Sequence, residues 1–360
     1  MKPFTVKEIA EAVGGAVVQG DPGAFLRRVS TDTRKISRGD LFFALAGERY
    51  DAHSFLSRAV EAGAGGLVVS RRLEFPPGVP VIMTSDTLAA LQALAAYNRV
   101  NCGVAVVGVT GSTGKTTTKD MIAGVLAARL KVLKTKGNFN NEVGLPLTLL
   151  ELDDTYEAAV VEMAMRGPGE IDSLARIARP LGAVITNIGE THLELLGTVS
   201  NIAAAKGEIL EHIPPGGFAL LPADSPFIRR EAGRCRGKLV FFGLEAPADL
   251  TAENIRPEGG GSRFEAVLSG QRHEFFLPAP GRHNVSNALA AIGVGRELGL
   301  TAEEIAAGLA SFSLTGMRLE ILNAGGLRII NDAYNASPAS ARAALQVLRE
   351  TAEGRRMVAV

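Results

Sequence analysis

Nearly unbroken apolar runs punctuate the chain at residues 41–45, 67–69, 104–109, 158–161 and 183–186. Runs without polar alternation predict strands buried on both faces. The stretches between them carry helix-start signals, so the pattern predicts an α/β fold with a parallel sheet covered by helices on each side. Thr5 and Glu8 form a capping box that opens a helix ending at Gly14 and Gly15. A second helix is expected over 53–63, a strand at 81–83, and a third helix from a cap at Asp86 to about residue 98.

A larger domain is expected from residue 99. It opens with the strand 104–109, passes through Gly, Ser and Thr, and enters a helix over about 116–130. Residues 263–268 and 272–277 predict an appended hairpin, and Thr301 with Glu304 caps a helix to about 311. A third unit follows, with a strand at 327–330, a helix opened by Ser337 and Pro338 and running to about 349, and a strand at 357–360. The expected domains are 1–98, 99–314 and 315–360, the last incomplete.

Charge and composition narrow the function. Among 360 residues, 38 Lys and Arg balance 38 Asp and Glu. A neutral chain has no global pull on nucleic acid or on an anionic membrane, so any anion must be held by a local site. At 46% hydrophobic and 21% charged the chain is globular rather than disordered. Two cysteines, Cys102 and Cys235, build no disulfide framework and read as buried thiols in a reducing compartment. The N-terminus lacks the apolar core of a signal peptide, and no apolar run reaches the ~20 residues of a membrane span. A cytoplasmic protein with no membrane insertion is expected.

The strongest chemical signal is the run from Gly108 to Lys119, lying between a buried strand and a helix. Glycines there let backbone N–H groups close around phosphate oxygens. Lys115 would reach the β- and γ-phosphates and Thr116 would offer its hydroxyl to Mg²⁺. The strict pattern wants glycine at 109, which is valine, so a plain glycine-rich turn with a surface lysine is the competing reading. Glu162 ends the 158–161 run, where a carboxylate points into the ligand crevice of a parallel sheet, as Mg²⁺ ligand or as solvated strand end. His192 leaves the next strand near the same crevice. Lys206 interrupts the apolar stripe of Val199, Ile202, Ala203, Ile209 and Leu210. The stripe alone favours a lysine that snorkels to solvent; the alternative is a buried amine with a lowered pKa.

These residues resemble the Mur ligase family, the ATP-dependent amide-forming enzymes of peptidoglycan synthesis. The offset motif from Thr110 to Thr117 is similar to that family's phosphate loop. The stretches 137–147 and 331–338 are similar to signatures of the members that join D-alanyl-D-alanine to a UDP-N-acetylmuramoyl tripeptide. The resemblance covers essentially the whole chain. It implies a three-domain architecture: a uridine-nucleotide domain, a central P-loop ATPase domain and a Rossmann-like third domain that is truncated here. It also implies ATP, two Mg²⁺ ions, small-molecule substrates and a monomer.

Residue by residue, the resemblance assigns Gly111, Ser112, Thr113, Gly114, Lys115, Thr116 and Thr117 to the ATP phosphates. Thr116, Glu162 and His192 become metal-site residues, and Lys206 falls on the lysine that the family carbamylates. Lys115, Lys206 and His192 are the catalytic candidates. Asn287 would contact adenine, since an amide can donate to N7 and accept from N6 together; helix capping is the plainer reading for it and Asn284. Arg318 and Asp332 would reach ATP phosphate and ribose from the third domain. Asn138 and Asn141 fall where the muramoyl substrate docks. Ser30, Thr33, Arg34, Gly47 and His53 lie in segments similar to the uridine-diphosphate site, although Ala52 departs from the glycine more usual there. Two rivals share the chemistry: a family member adding a single amino acid, and a folylpolyglutamate synthase-like ligase. A nucleotide-dependent binding protein is the rival of another class.

Overall fold

The computed structural model describes every residue except 48, 49, 77, 192, 269, 315 and 353. The chain divides into two compact units. The first comprises Met1–Val104, Thr135–Glu157 and Arg176–Ala178; the second comprises Ala105–Lys134, Ala158–Ala175 and Arg179–Val360.

The first unit opens with β1 (Phe4–Thr5), α1 (Val6–Ala12), β2 (Ala16–Gln19), β3 (Phe25–Leu26) and β4 (Val29–Ser30). It continues with β5 (Leu41–Phe43), α2 (Leu56–Glu61), β6 (Gly66–Val69), β7 (Val81–Met83) and α3 (Thr87–Cys102). The Thr5–Glu8 capping box forms as the sequence predicts. The sheet order is β2-β7-β6-β5-β4, parallel except for the β2–β7 pair. The helix expected over 53–63 begins as a 3-10 turn, Ala52–Phe55, before α2. Helix α3 runs past its expected end at 98, because buried Asn98 and Arg99 continue it to an αL cap at Gly103. The Asn98 side-chain amide donates to the carbonyls of Leu149 and Leu152. Those contacts tie the segment containing α5 (Gly144–Leu149) to this unit.

The second unit is built on a nine-stranded sheet. Its elements are β8 (Ala105–Thr110), α4 (Lys115–Ala127), β9 (Val132–Lys134), β10 (Ala158–Glu162), α6 (Glu170–Ala178, whose last three residues belong to the first unit), β11 (Gly182–Ile185), α7 (Leu193–Leu196) and α8 (Val199–Gly207). Then come β12 (Phe218–Pro222), α9 (Ile228–Ala232), β13 (Lys238–Gly243), β14 (Leu250–Glu258), β15 (Gly261–Leu268), β16 (Gln271–Leu277), α10 (Arg282–Glu297) and α11 (Ala302–Ala310). The strand order is β16-β15-β14-β13-β12-β11-β8-β10-β9. From β14 to β9 every pair is parallel, and the expected hairpin β15–β16 extends the sheet antiparallel. One face of β8, bearing Val107 and Val109, packs against Met121, Ile122 and Val125 of α4.

The last elements are the hairpin β17 (Glu320–Ala324) and β18 (Leu327–Asn331), and α12 (Pro338–Glu350), which starts at the Ser337 capping box with proline at its head. The strand expected at 357–360 does not form. Those four residues are exposed and pair with no described strand, and an apolar run without a neighbour has no ladder to join. The two cysteines are free but only half-buried, less than expected. No described helix is long and apolar enough to cross a membrane.

Candidate active site

The strand–loop–helix from β8 to α4 forms a phosphate cradle. Gly111 has φ 151° and Gly114, the N-cap of α4, has φ 75°. A side chain at Gly111 would collide with Thr186 Oγ1, and one at Gly114 would come 2.9 Å from Asn287 Oδ1. Glycine is therefore required twice, once for close approach and once for the left-handed turn as well. The loop is gripped by the segment after β11. Asn187 Oδ1 accepts from Thr113 N at 3.0 Å, and its Nδ2 donates to Thr113 Oγ1 at 2.8 Å. Thr186 Oγ1 donates to Thr113 O at 2.5 Å, and Ser112 Oγ donates to Gly189 O at 3.0 Å. Thr186 and Asn187 were not among the sequence-predicted site residues. Their signal was their place directly after a buried parallel strand.

Lys115, first residue of α4, turns its ammonium back onto the loop, donating to Gly111 O at 2.9 Å and Ser112 O at 3.4 Å. Burial lowers its pKa, opposed by the Glu162 carboxylate and assisted by the Arg318 charge. Thr117 lies half-buried in the same first turn. Thr116 Oγ1 donates to Glu162 Oε2 at 2.8 Å, so the structure joins these two predicted metal-site residues directly. Glu162 is the last residue of β10 and is 2% exposed.

Lys206 does not snorkel. It is 2% exposed and makes no hydrogen bond or ion pair with a described residue. Burial, and then the charge of Lys115, lower its pKa to about 7. The stripe misleads because it shows which side of the helix is apolar, not what the rest of the fold packs around the lysine. Ile209, one turn further on, packs over Gly108 of β8. By strand alternation Thr110 shares that sheet face, and its hydroxyl is buried with no partner. An orphaned hydroxyl and an unpartnered amine are an environment with capacity for a bound group. His192 lies outside the described residues, and among those described no three His, Cys, Asp or Glu side chains converge as a metal cluster. The hydroxyl of Thr116 and the carboxylate of Glu162 are nevertheless the hard oxygen donors that suit Mg²⁺.

Helix α10 brings Asn287 against Gly114. Its amide nitrogen donates to Asn284 Oδ1 at 3.4 Å, and Asn284 Nδ2 donates to Pro280 O at 2.8 Å; the N-cap of α10 is Gly281 with no side-chain cap, so neither asparagine caps the helix and both lie buried in its first turns. In the final segment Arg318 stacks on the Tyr334 ring at 3.7 Å, and Asp332 Oδ1 accepts from Leu319 N at 3.1 Å. Burial raises the Asp332 pKa, opposed first by the Leu319 N–H bond and then by the Arg318 charge.

In the first unit, Ser30 and Arg34 gather around Asp32. Ser30 Oγ donates to Asp32 O at 3.0 Å, and the Arg34 guanidinium holds the Asp32 carboxylate in a two-pronged pair, which lowers its pKa to about 2. Thr33 sits half-buried between them. Gly47 N donates to Tyr50 O, while residues 48 and 49 of the same loop lie outside the described set. His53 is tied to the protein at both ring nitrogens: Nδ1 to Asp51 Oδ1 at 2.6 Å and Nε2, as acceptor, to Ser70 N at 2.9 Å. It therefore acts on this unit through Asp51, which also pairs with Arg71. Asn141 Oδ1 accepts from Gly144 N at the head of α5, leaving its amide nitrogen for a ligand, and Asn138 is exposed.

A glycine cradle wired to a buried carboxylate–hydroxyl pair is the equipment of a P-loop enzyme that handles nucleoside triphosphates, and the chain belongs to the Mur ligase family, whose middle-domain model matches residues 109–295. It is 45% identical over 353 residues to the UDP-N-acetylmuramoyl-tripeptide–D-alanyl-D-alanine ligase of Bacillus subtilis strain 168, covering 97% of this chain and 76% of that one. Among solved structures it resembles MurF from Acinetobacter baumannii, with TM-score 0.91, 35% identity, and coverage of 97% of this chain and 77% of the other. It also resembles MurF ligase from Thermotoga maritima, solved in complex with ADP, at TM-score 0.82 and 32% identity over 90% of this chain and 75% of that one.

Proposed function

We propose that this protein is an ATP-dependent ligase that joins D-alanyl-D-alanine to UDP-N-acetylmuramoyl tripeptide. The observation that carries the reading is the Thr116–Glu162 pair beneath the Lys115 loop, in a chain that is 45% identical to a ligase of that name over 97% of its length. A carboxylate cannot acylate an amine, because oxide is too poor a leaving group. Transfer of the ATP γ-phosphoryl to the tripeptide carboxylate forms an acyl phosphate and releases ADP. The dipeptide amine then attacks the acyl carbon, the C–O bond to phosphate breaks, and the amine proton passes to solvent.

In this reading the loop N–H groups from Gly111 to Thr117 cradle the phosphates. Lys115 offsets the charge that builds on the transferring phosphoryl. Asn287 holds adenine, Arg318 a phosphate and Asp332 the ribose. Mg²⁺, when bound in two sites, would supply Lewis-acid stabilisation of the phosphoryl oxygens. Thr116 and Glu162 would hold one ion; Lys206 as a carbamate, with Glu162 and His192, would hold the other. The neutral Lys206 amine attacks CO₂, a C–N bond forms, and one N–H proton is lost to solvent, converting an amine into an anionic oxygen ligand. Ser30, Thr33, Arg34, Gly47 and His53 shape the uridine-diphosphate site, and Asn138 and Asn141 the muramoyl site. The work belongs in the cytoplasm, where ATP is supplied, and a monomer is the working unit.

Phosphate release tests the reading. It should require ATP, Mg²⁺, the UDP-muramoyl tripeptide and D-Ala-D-Ala together. Equal release with a single amino acid in place of the dipeptide would assign another Mur ligase step, and release driven by a folate would assign the folylpolyglutamate rival. ATP turnover that ignores both substrates would make the protein a nucleotide-dependent binding module.

A further inference from the structure

Two residues after Lys206, α8 gives way to a 3-10 segment, Glu208–His212. Glu208 spends its carboxylate on a distant helix. One oxygen accepts from Gly169 N at 2.7 Å and the other from Asp172 N at 3.0 Å. Both amides lie at the head of α6, where four N–H groups lack helical partners and the helix dipole favours an anion. Gly169, the N-cap there, has no side chain to satisfy them, so the cap is imported from 39 residues away.

The same two segments are tied again by His212 Nε2 and Asp172 Oδ1 at 2.8 Å. Helix α6 follows the loop that begins at Met163, immediately after Glu162, and Arg166 N donates to Glu170 Oε2 at 2.9 Å to set that loop's course. From the opposite side, Arg234 donates to the Ala204 carbonyl at 2.6 Å and lies against Gly207, where no Cβ would fit without moving it. The turn that bears Lys206 is thus clamped, and one jaw of the clamp runs to the head of α6, which the chain reaches from Glu162 at the end of β10 through residues 163–169.

We propose that Glu208 is a positioning residue, a strut between the turn after Lys206 and the head of α6 that fixes the Lys206 amine relative to the Glu162 carboxylate. A capping residue would hold α6 alone; this one also sets the distance between the two buried groups. The proposal rests on reading Lys206 and Glu162 as parts of one metal site, and the experiment separates the two ideas.

Glu208→Ala removes the strut, and Glu208→Gln, which keeps one acceptor and the same shape, serves should the alanine variant fail to fold. Three quantities are measured on the whole protein: hydrogen exchange at the Gly169 and Asp172 amides, the rate at which an amine-reactive reagent labels Lys206 at one fixed pH, and the KM for Mg²⁺ and for ATP. Faster exchange at the two amides reports that the strut is broken. With it, Lys206 labelling should quicken and the KM for Mg²⁺ should rise roughly tenfold, as for other residues that orient metal ligands, while the KM for ATP stays within about twofold. Faster amide exchange with unchanged labelling and unchanged Mg²⁺ dependence in both variants overturns the proposal. A fully active Lys206→Ala enzyme would instead sink the metal-site reading, and the labelling rate would still decide whether Glu208 positions the amine.

Discussion

Lys115 is held by backbone oxygens of its own loop and by no core contact, so its loss should touch chemistry far more than folding. Lys115→Ala should lower kcat by about 100-fold or more, the scale of removing one preorganised charge stabiliser, with little change in thermal midpoint. Turnover within tenfold of the parent at saturating ATP would contradict its assigned role. Lys206 invites a different assay. Lys206→Ala should lose activity and regain part of it with a short carboxylate that occupies the vacated space. Carbamylation needs the unprotonated amine, and the Lys206 pKa lies at about 7. Reactivation of CO₂-depleted enzyme, with the concentration of dissolved CO₂ held the same at every pH, should therefore be fast above that pH and slow by about tenfold for each unit below it. A rate independent of pH between 5 and 8 would show that no amine of lowered pKa is being modified.

At the scale of elements, the helices over the sheet cross at very short range. A Cβ on Gly308 of α11 would lie 2.5 Å from the Cα of Val125 in α4. Gly308→Ala must push two backbones apart and should cost about 1–3 kcal/mol in denaturant unfolding, although the site lies in no catalytic element. A neutral outcome would mean that α11 shifts freely. Element by element, what the sequence revealed was what is local to it. The capping boxes at Thr5, Thr301 and Ser337, the β8–loop–α4 unit and the carboxylate at the end of β10 all depend on residues within a few positions of one another. The grip of Thr186 and Asn187 on Thr113 spans more than 70 residues, and no local pattern announces it. The burial of Lys206 was illegible for a related reason. A stripe shows which side of a helix is apolar, but only the sheet beneath and its neighbours decide whether a long amine has a way out. The commitment of both His53 ring nitrogens, one of them to Ser70, was likewise illegible in the local sequence.

Across the whole molecule, the residues proposed for nucleotide binding and those proposed for uridine binding fall in separate compact units. Two ligands should then leave two footprints. MgADP at about 100 times its Kd adds about 2.7 kcal/mol to the state that binds it, and the added hydrogen-exchange protection should concentrate in β8, α4 and the segment after β11. A UDP-linked sugar should protect β4, β5 and the turn at Asp51. Protection by MgADP that appears mainly in the first unit would reverse the assignment.

The hydrogen bonds of Lys115 to Gly111 and Ser112 also set terms for entry. Two of the three ammonium donors are already engaged, so a nucleotide that draws Lys115 to itself must compete with two carbonyls. ADP and ATP bring β-oxygens that can do so. On the proposed reading, in which Lys115 serves the β- and γ-phosphates, AMP would leave the lysine on its loop carbonyls. The cradle is thus a toll gate with a minimum phosphate count. AMP should bind weaker than ADP by more than the adenine and ribose contacts account for, and Lys115→Ala should narrow that gap, a comparison that titration calorimetry of four protein–ligand pairs would decide.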